Sequence, residues 1–154
     1  MLPHKHLILG IVLAAVIFLA YPSIGIINFL IIIFSSILVD IDHYFYYVHK
    51  KKKINPLKAY KWYTTHRKKC LSLSKEQKAQ VHFGTYFLHG IEILILLFLL
   101  GFFVSDIFYF ILIGFTFHLL SDLFSEIVYF NEFNKISVIY AYLKSRGLTF
   151  IDDL

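Results

Sequence analysis

Four stretches of this chain are apolar almost without interruption: 7–21 (LILGIVLAAVIFLAY), 24–39 (IGIINFLIIIFSSILV), 86–104 (YFLHGIEILILLFLLGFFV) and 107–124 (IFYFILIGFTFHLLSDLF). A bilayer core takes roughly 20 predominantly apolar residues per helix, so the pattern predicts transmembrane spans at about 7–21, 24–43, 86–104 and 107–125. Pro22 and Gly25 break the first pair, and the short GFFVSD segment at 101–106 turns the second. The expected fold is all-α: one membrane domain over residues 1–154, a bundle of four transmembrane helices in two hairpins. The polar stretch at 49–85 reads as a loop. Residues 126–154 read as a tail with a short interfacial helix, interrupted by Glu126, Asn131, Glu132, Asn134 and Lys135. The first run also has the outline of a signal peptide cleaved after Ala20, but a second apolar run follows within a few residues, which suits a hairpin better.

Composition supports the membrane reading. The chain is 58% hydrophobic and only 16% charged, whereas soluble domains carry about a quarter charged residues. Where the charge lies gives an orientation. Of the fifteen Lys and Arg, eleven fall between Lys50 and Lys78, and the rest (Lys5, Lys135, Lys144, Arg146) lie near the two ends. With four spans these regions share one side, which the positive-inside rule places in the cytoplasm. The expected location is therefore a cell membrane, crossed several times, with both termini cytoplasmic. Tyr60, Trp62 and Tyr63 among the lysines suit anionic lipid headgroups. The same composition serves nucleic acid elsewhere, but no nucleic-acid partner is expected beside four spans. The single cysteine, Cys70, excludes an internal disulfide and a multi-cysteine zinc site.

The ionisable residues inside the apolar runs are few and one-sided. His6 begins the first span, and Asp40, Asp42 and His43 end the second. His89 and Glu92 start the third, three residues apart, and His118 and Asp122 finish the fourth, four apart. Both spacings place the pair on one helical face. In the four-span topology all of them reach the cytoplasmic half of the membrane. Buried charge at such depth needs a partner. Imidazole and carboxylate together suit zinc, iron or manganese, and helical bundles build carboxylate–histidine sites this way. His6, Asp40, Asp42, His43, His89, Glu92, His118 and Asp122 are thus candidate ligands for one or two divalent transition-metal ions, zinc foremost. Asp42 points away from Asp40 and His43 in a regular helix, so it is either second to the ligands or bridging where the helix unwinds; Glu92 is a candidate ligand or general base, and Asp42 joins it as a candidate catalytic residue. A buried polar network holding the bundle together is the structural alternative. His4, His49, His66 and His82 read as solvated, Gly10, Gly90, Gly101 and Gly114 as sites of close helix packing, and HYFYYV at 43–48 as an aromatic belt.

The ordered elements His6-Leu-Ile-Leu-Gly10, Asp40-Ile-Asp42-His43, His89-Gly-Ile-Glu92 and His118-Leu-Leu-Ser-Asp122 resemble the membrane-bound metal-dependent hydrolases, also described as LexA-binding, inner-membrane-associated hydrolases. A more distant likeness is to the zinc-dependent phospholipase C fold. Val39 stands where family members commonly have proline. Thr65-His66-Arg67 lies well upstream of the third element, so His66 is left out of the site. The resemblance implies a metal-dependent hydrolase; the depth of the candidate ligands and the lysine-rich loop add the expectation that it is membrane-embedded, activates water on a metal at the cytoplasmic surface, and acts on a phosphoester or ester of a lipid or other amphiphile. The contrasting expectation is a non-enzymatic membrane protein, either a metal or proton carrier or a polybasic scaffold, whose acid–histidine pairs are structural.

Overall fold

The computed structural model describes residues 3–82, 84–130 and 136–151; Asn131, Glu132, Asn134 and Lys135 lie outside them. The architecture is all-helical. Helix α1 (Pro3–Ala20) leads through a short 3-10 turn, Pro22–Ile24, into α2 (Gly25–Leu38). Proline at the start of that turn has its φ already set, and Gly25 leaves it at φ +73, a conformation that favours glycine. A two-residue break at Val39 and Asp40 separates α2 from α3 (Ile41–Lys51). Helix α4 (Pro56–Ser72) is capped by the Asn55 side chain, which accepts from the Lys58 amide at 3.0 Å, with Pro56 in the first turn. A single turn α5 (Lys75–Lys78) and strand β1 (Val81–His82) precede α6 (Ile91–Phe103) and α7 (Ile107–Phe130). The chain then forms α8 (Val138–Ser145) and strand β2 (Thr149–Phe150), which pairs with β1 in parallel.

Among the described residues three helices are long and apolar enough to cross a membrane: α1, the Pro22–Lys51 unit containing α2 and α3, and α7. Their outer faces are oily, with Leu19 80% and Ile27 70% exposed. Such a surface suits lipid and is costly in water. Helix α6 is apolar but has 13 residues, about 20 Å at the helical rise. The expected third span is shorter than its apolar run because Gly90, in an extended conformation (φ −148, ψ 164), holds residues 86–90 out of the helix. The fourth element runs past its expected end near 125, to Phe130.

Helix α2 is central. Helices α1 and α7 pack on it, and α6 packs on α7. Small residues set the spacing. A Cβ on Gly10 of α1 would lie 2.0 Å from Ser36 Oγ, and one on Gly114 of α7 would lie 2.0 Å from Ser35 Oγ and 2.7 Å from the Ile32 carbonyl. Both serines turn their hydroxyls back onto their own helix, to Ile32 O at 3.1 Å and Ile33 O at 2.7 Å, so neither leaves a bare donor in the apolar core.

The expected loop and tail make a second layer over one end of the bundle. Cys70, Val81, Phe150 and Ile151 form its core, with Tyr46, Trp62 and Leu73 packed around them. Tyr46 and Tyr47, expected in an aromatic belt, instead lie against this layer: Tyr46 packs edge-on to Tyr86 and Tyr47 against Trp62. His82 packs on Phe150 and His66 against Trp62, with His66 Nδ1 2.6 Å from the Trp62 carbonyl. These two histidines belong to the layer, while His4 and His49 are exposed as expected.

Candidate metal centre

The layer sits above the end of the bundle where the acids and imidazoles meet. His6 comes from the first turns of α1, Asp40 from the α2–α3 break, His89 from the turn before α6, and His118 and Asp122 from one face of α7. His6, Asp42, His89, His118 and Asp122 are almost wholly buried. Among the described residues two groups of three bring ligand atoms within 4.8 Å of one another: His6, His118 and Asp122, and Asp40, His43 and His89.

Where the two groups touch, four atoms make a cage. His89 Nε2 and His118 Nε2 are 3.3 Å apart. Asp40 Oδ1 is 3.7 Å from each, and Asp122 Oδ2 is 3.6 and 3.8 Å from them. Bonds of about 2.0–2.1 Å around a tetrahedral zinc require ligand–ligand edges of about 3.3–3.4 Å. Five of the six edges of such a tetrahedron thus lie at or slightly above that value. Asp40, half-buried, and Asp122, buried, thus each bring a carboxylate oxygen within 3.8 Å of both imidazoles. Asp40 Oδ2 is also buried with no hydrogen-bond partner among the described residues. The donor set therefore fits a metal ion.

Hydrogen bonds behind the cage fix both imidazoles. His118 Nδ1 lies 2.7 Å from the Ser36 carbonyl. A carbonyl only accepts, so Nδ1 carries the proton and Nε2 presents its lone pair. The Ser36 carbonyl faces His118 because of the break after α2: the Asp40 amide donates to Ile37 O at 3.0 Å, one residue short of its regular helical partner, Ser36. His89 Nδ1 likewise donates to Asp42 Oδ2 at 3.0 Å, again leaving Nε2 for the cage. The same oxygen accepts from the Leu88 amide at 2.9 Å, and Asp42 Oδ1 accepts from His43 Nδ1 at 2.9 Å. Such outer partners orient metal ligands and raise their basicity.

Two of the expected residues, Asp42 and Glu92, lie outside both groups. Asp42 stands behind the cage, its oxygens taken by three donors, in place of ligation or catalysis. Glu92 stands apart: its carboxylate accepts from the Ser137 hydroxyl, from Val138 N at 3.1 Å and from Ile139 N at 3.3 Å. It caps α8 in place of ligating or acting as a base. The expected shared face of His89 and Glu92 required a continuous helix; with Gly90 extended between them, the two side chains diverge. His6 flanks the cage, stacked on His118 with centroids 3.8 Å apart and with Nε2 3.1 Å from Asp122 Oδ1. His43 flanks it on the other side, stacked on Tyr86 at 3.9 Å.

A cavity of about 430 Å³ opens between cage and layer, with Asp40, His43, His89 and Asp122 among its lining residues. Tyr63 lines it too and donates to the His43 carbonyl at 2.7 Å. Burial raises the Tyr63 phenol well above its ordinary pKa, so it stays a donor. Ser36, Leu88 and Tyr63 were not marked by the sequence. The first two act through backbone atoms, which no residue pattern reports. Tyr63 was visible only as one aromatic among lysines.

No protein-family model matches the chain, and no curated protein or solved structure matches it either.

Proposed function

We propose that the chain is a four-span membrane protein that holds one divalent transition metal, best suited to zinc, between Asp40, His89, His118 and Asp122, and that it works as a metal-dependent hydrolase at the cytoplasmic face. The observation that carries this reading is the four-atom cage directly beneath the cavity. His6 and Asp42 would steady the ligands, and His43, half-exposed, would face the bound molecule. Bound in the cage, a divalent cation supplies Lewis acidity and lowers the pKa of water. The chain's own residues supply the dry, oriented donors and the tyrosine-walled space above them. The family resemblance in the sequence points the same way.

For topology, the site's end carries the basic α4–α5 region and α8, so the positive-inside rule favours the cytoplasm for it. Helix α6, the third of the four proposed spans, is about 10 Å shorter than a bilayer core. The polar cage and cavity at its start would make up the difference. A carrier would need polar groups through both halves of the membrane. Residues 7–20, 25–38, 93–103 and 107–117 contain no Asp, Glu, His, Lys or Arg, which favours a one-sided site over a conduit or proton path.

Elemental analysis of protein purified without chelators tests the reading. One equivalent of transition metal is expected, lost in the His89→Ala, Asp122→Ala double variant. Metal-free wild-type protein that also fails to take up added zinc would refute it.

A further inference from the structure

A second depression lies on the other face of α4. From that helix Tyr60, Tyr63, Thr64 and Arg67 line the cavity over the cage, whereas Lys58, Lys61, Trp62 and Thr65 line a shallow groove toward α3, of about 420 Å³. No described residue lines both. The groove has an aromatic floor, where Tyr47 of α3 and Trp62 of α4 meet with ring centroids 5.7 Å apart. Its rim is cationic. Lys58 and Lys61, one turn apart on α4, join Lys51 from the end of α3 and Lys53 from the turn after it, and the Lys51 ammonium sits 5.6 Å from the Trp62 ring centroid. No carboxylate is among the described lining residues.

Helix physics opposes this arrangement until an anion joins it. Like charges three residues apart on a helix repel. Lys58 also stands in the first turn of α4, where the helix dipole disfavours a cation and no acidic residue offsets it. From His43 to Ser74 the chain has nine Lys and Arg and no Asp or Glu, and Lys53, Lys58 and Lys61 form no ion pair with a described residue. The turn that carries Lys53 is held on both sides. The Lys52 amide, at φ +54, donates to the Val48 carbonyl at 2.9 Å, the Tyr44 hydroxyl donates to the Ile54 carbonyl at 2.5 Å, and Asn55 caps α4. A site fixed in this way spares a ligand the cost of ordering it.

The depth of the groove selects the anion. Exposed Ile27, Leu30, Phe34, Leu38, Ile41 and Phe45 continue one apolar stripe along α2 and into α3. Gly25 to Phe45 covers about 30 Å at the helical rise, the thickness of a bilayer core. The lysines begin five residues further on, at Lys50, where headgroups would lie. Ile54 and Leu57, 77% and 78% exposed, stand beside them, which suits a membrane interface better than water. Basic clusters directly after a span attract anionic lipid. We propose that the α3–α4 groove binds the phosphate of an anionic phospholipid, held by Lys58 and Lys61 of α4 and by Lys51 and Lys53 beside them. The site is separate from the cage and its cavity, and it ties the layer above the cage to the membrane surface.

Trp62 is the chain's single tryptophan, so its fluorescence reports on the groove directly. The full chain in a nonionic detergent is titrated with short-chain phosphatidylglycerol or phosphatidylcholine. Phosphatidylglycerol should bind about tenfold more tightly or better. The Lys58→Gln, Lys61→Gln double variant should lose about tenfold or more of that affinity, since each lysine at a lipid surface contributes a factor of about five. The Lys58→Arg, Lys61→Arg variant should keep it. Lys52→Gln, Lys68→Gln removes the same charge outside the groove and should change the affinity by less than about twofold. An equal loss in that control, unchanged binding in the glutamine variant or lost binding in the arginine variant overturns the proposal. Equal binding of glycerol phosphate overturns its lipid part, and tighter binding of a single-stranded oligonucleotide gives the groove to nucleic acid instead. Zinc takes no part in the measurement, so failure here would leave the metal reading standing.

Discussion

Replacing Asp42 by alanine separates a residue that orients ligands from one that ligates. The carboxylate accepts from His89 Nδ1, the Leu88 amide and His43 Nδ1. His43 is partly exposed and can turn to water, but the other two donors lose their acceptor in a buried setting. Each donor left bare costs about 1–3 kcal/mol of stability. For metal, loss of an outer partner typically costs ten- to a hundredfold in affinity, about 1.4–2.7 kcal/mol. His89 still reaches the cage, with its ring no longer held and its tautomer no longer fixed. Competition with a chromophoric chelator gives the zinc affinity, and thermal unfolding gives the stability. Asp42→Asn should fall between, since its amide oxygen still serves Leu88 and His89 while the charge is gone. Two results would refute the reasoning: wild-type affinity in Asp42→Ala, or the total loss of zinc expected of Asp122→Ala.

Glu92→Gln should leave zinc affinity unchanged, because Glu92 serves α8 and not the cage; it should weaken the cap by about 1 kcal/mol and speed hydrogen exchange at Val138 and Ile139. Gly10→Ala and Gly114→Ala should each cost about 1–3 kcal/mol through overpacking, read as thermal stability in detergent. Ser36→Gly should rescue the first, whose close neighbours are Ser36 Oγ and Cβ, whereas Ser35→Gly should not rescue the second, which also meets the Ile32 carbonyl at 2.7 Å. Alkali should destabilise the fold in part through Tyr63. Its pKa is raised in the folded state, so its contribution is full below the ordinary phenol value of about 10 and is lost as pH rises through the folded value; a Tyr63→Phe variant should show a shallower decline between pH 10 and 12.

The helices and their polar end were legible in the sequence because both follow from local rules. Uninterrupted apolar runs require helices, and acids in such runs require company, so His118 and Asp122 four residues apart marked one face of α7. What escaped depended on single backbone departures or distant pairing. Gly90 reads equally well as a packing glycine inside a helix and as an extended residue ahead of one, and that choice sends His89 and Glu92 to different places. The layer over the site joins residues 81–82 to 149–150. Two-residue strands carry no recognisable alternation, and their pairing is set by the burial of Cys70, Val81, Phe150 and Ile151, which no local pattern announces.

The step at Asp40 has a consequence for redesign. A regular helix from α2 into α3 would return the Ser36 carbonyl to the Asp40 amide, swing Asp40 round the helix axis and make the His118 Nδ1–H share its acceptor. Sequence changes chosen to strengthen helicity at Val39 and Asp40 would therefore be expected to raise the stability of the bundle while emptying its centre. A better-formed helix would make the worse protein.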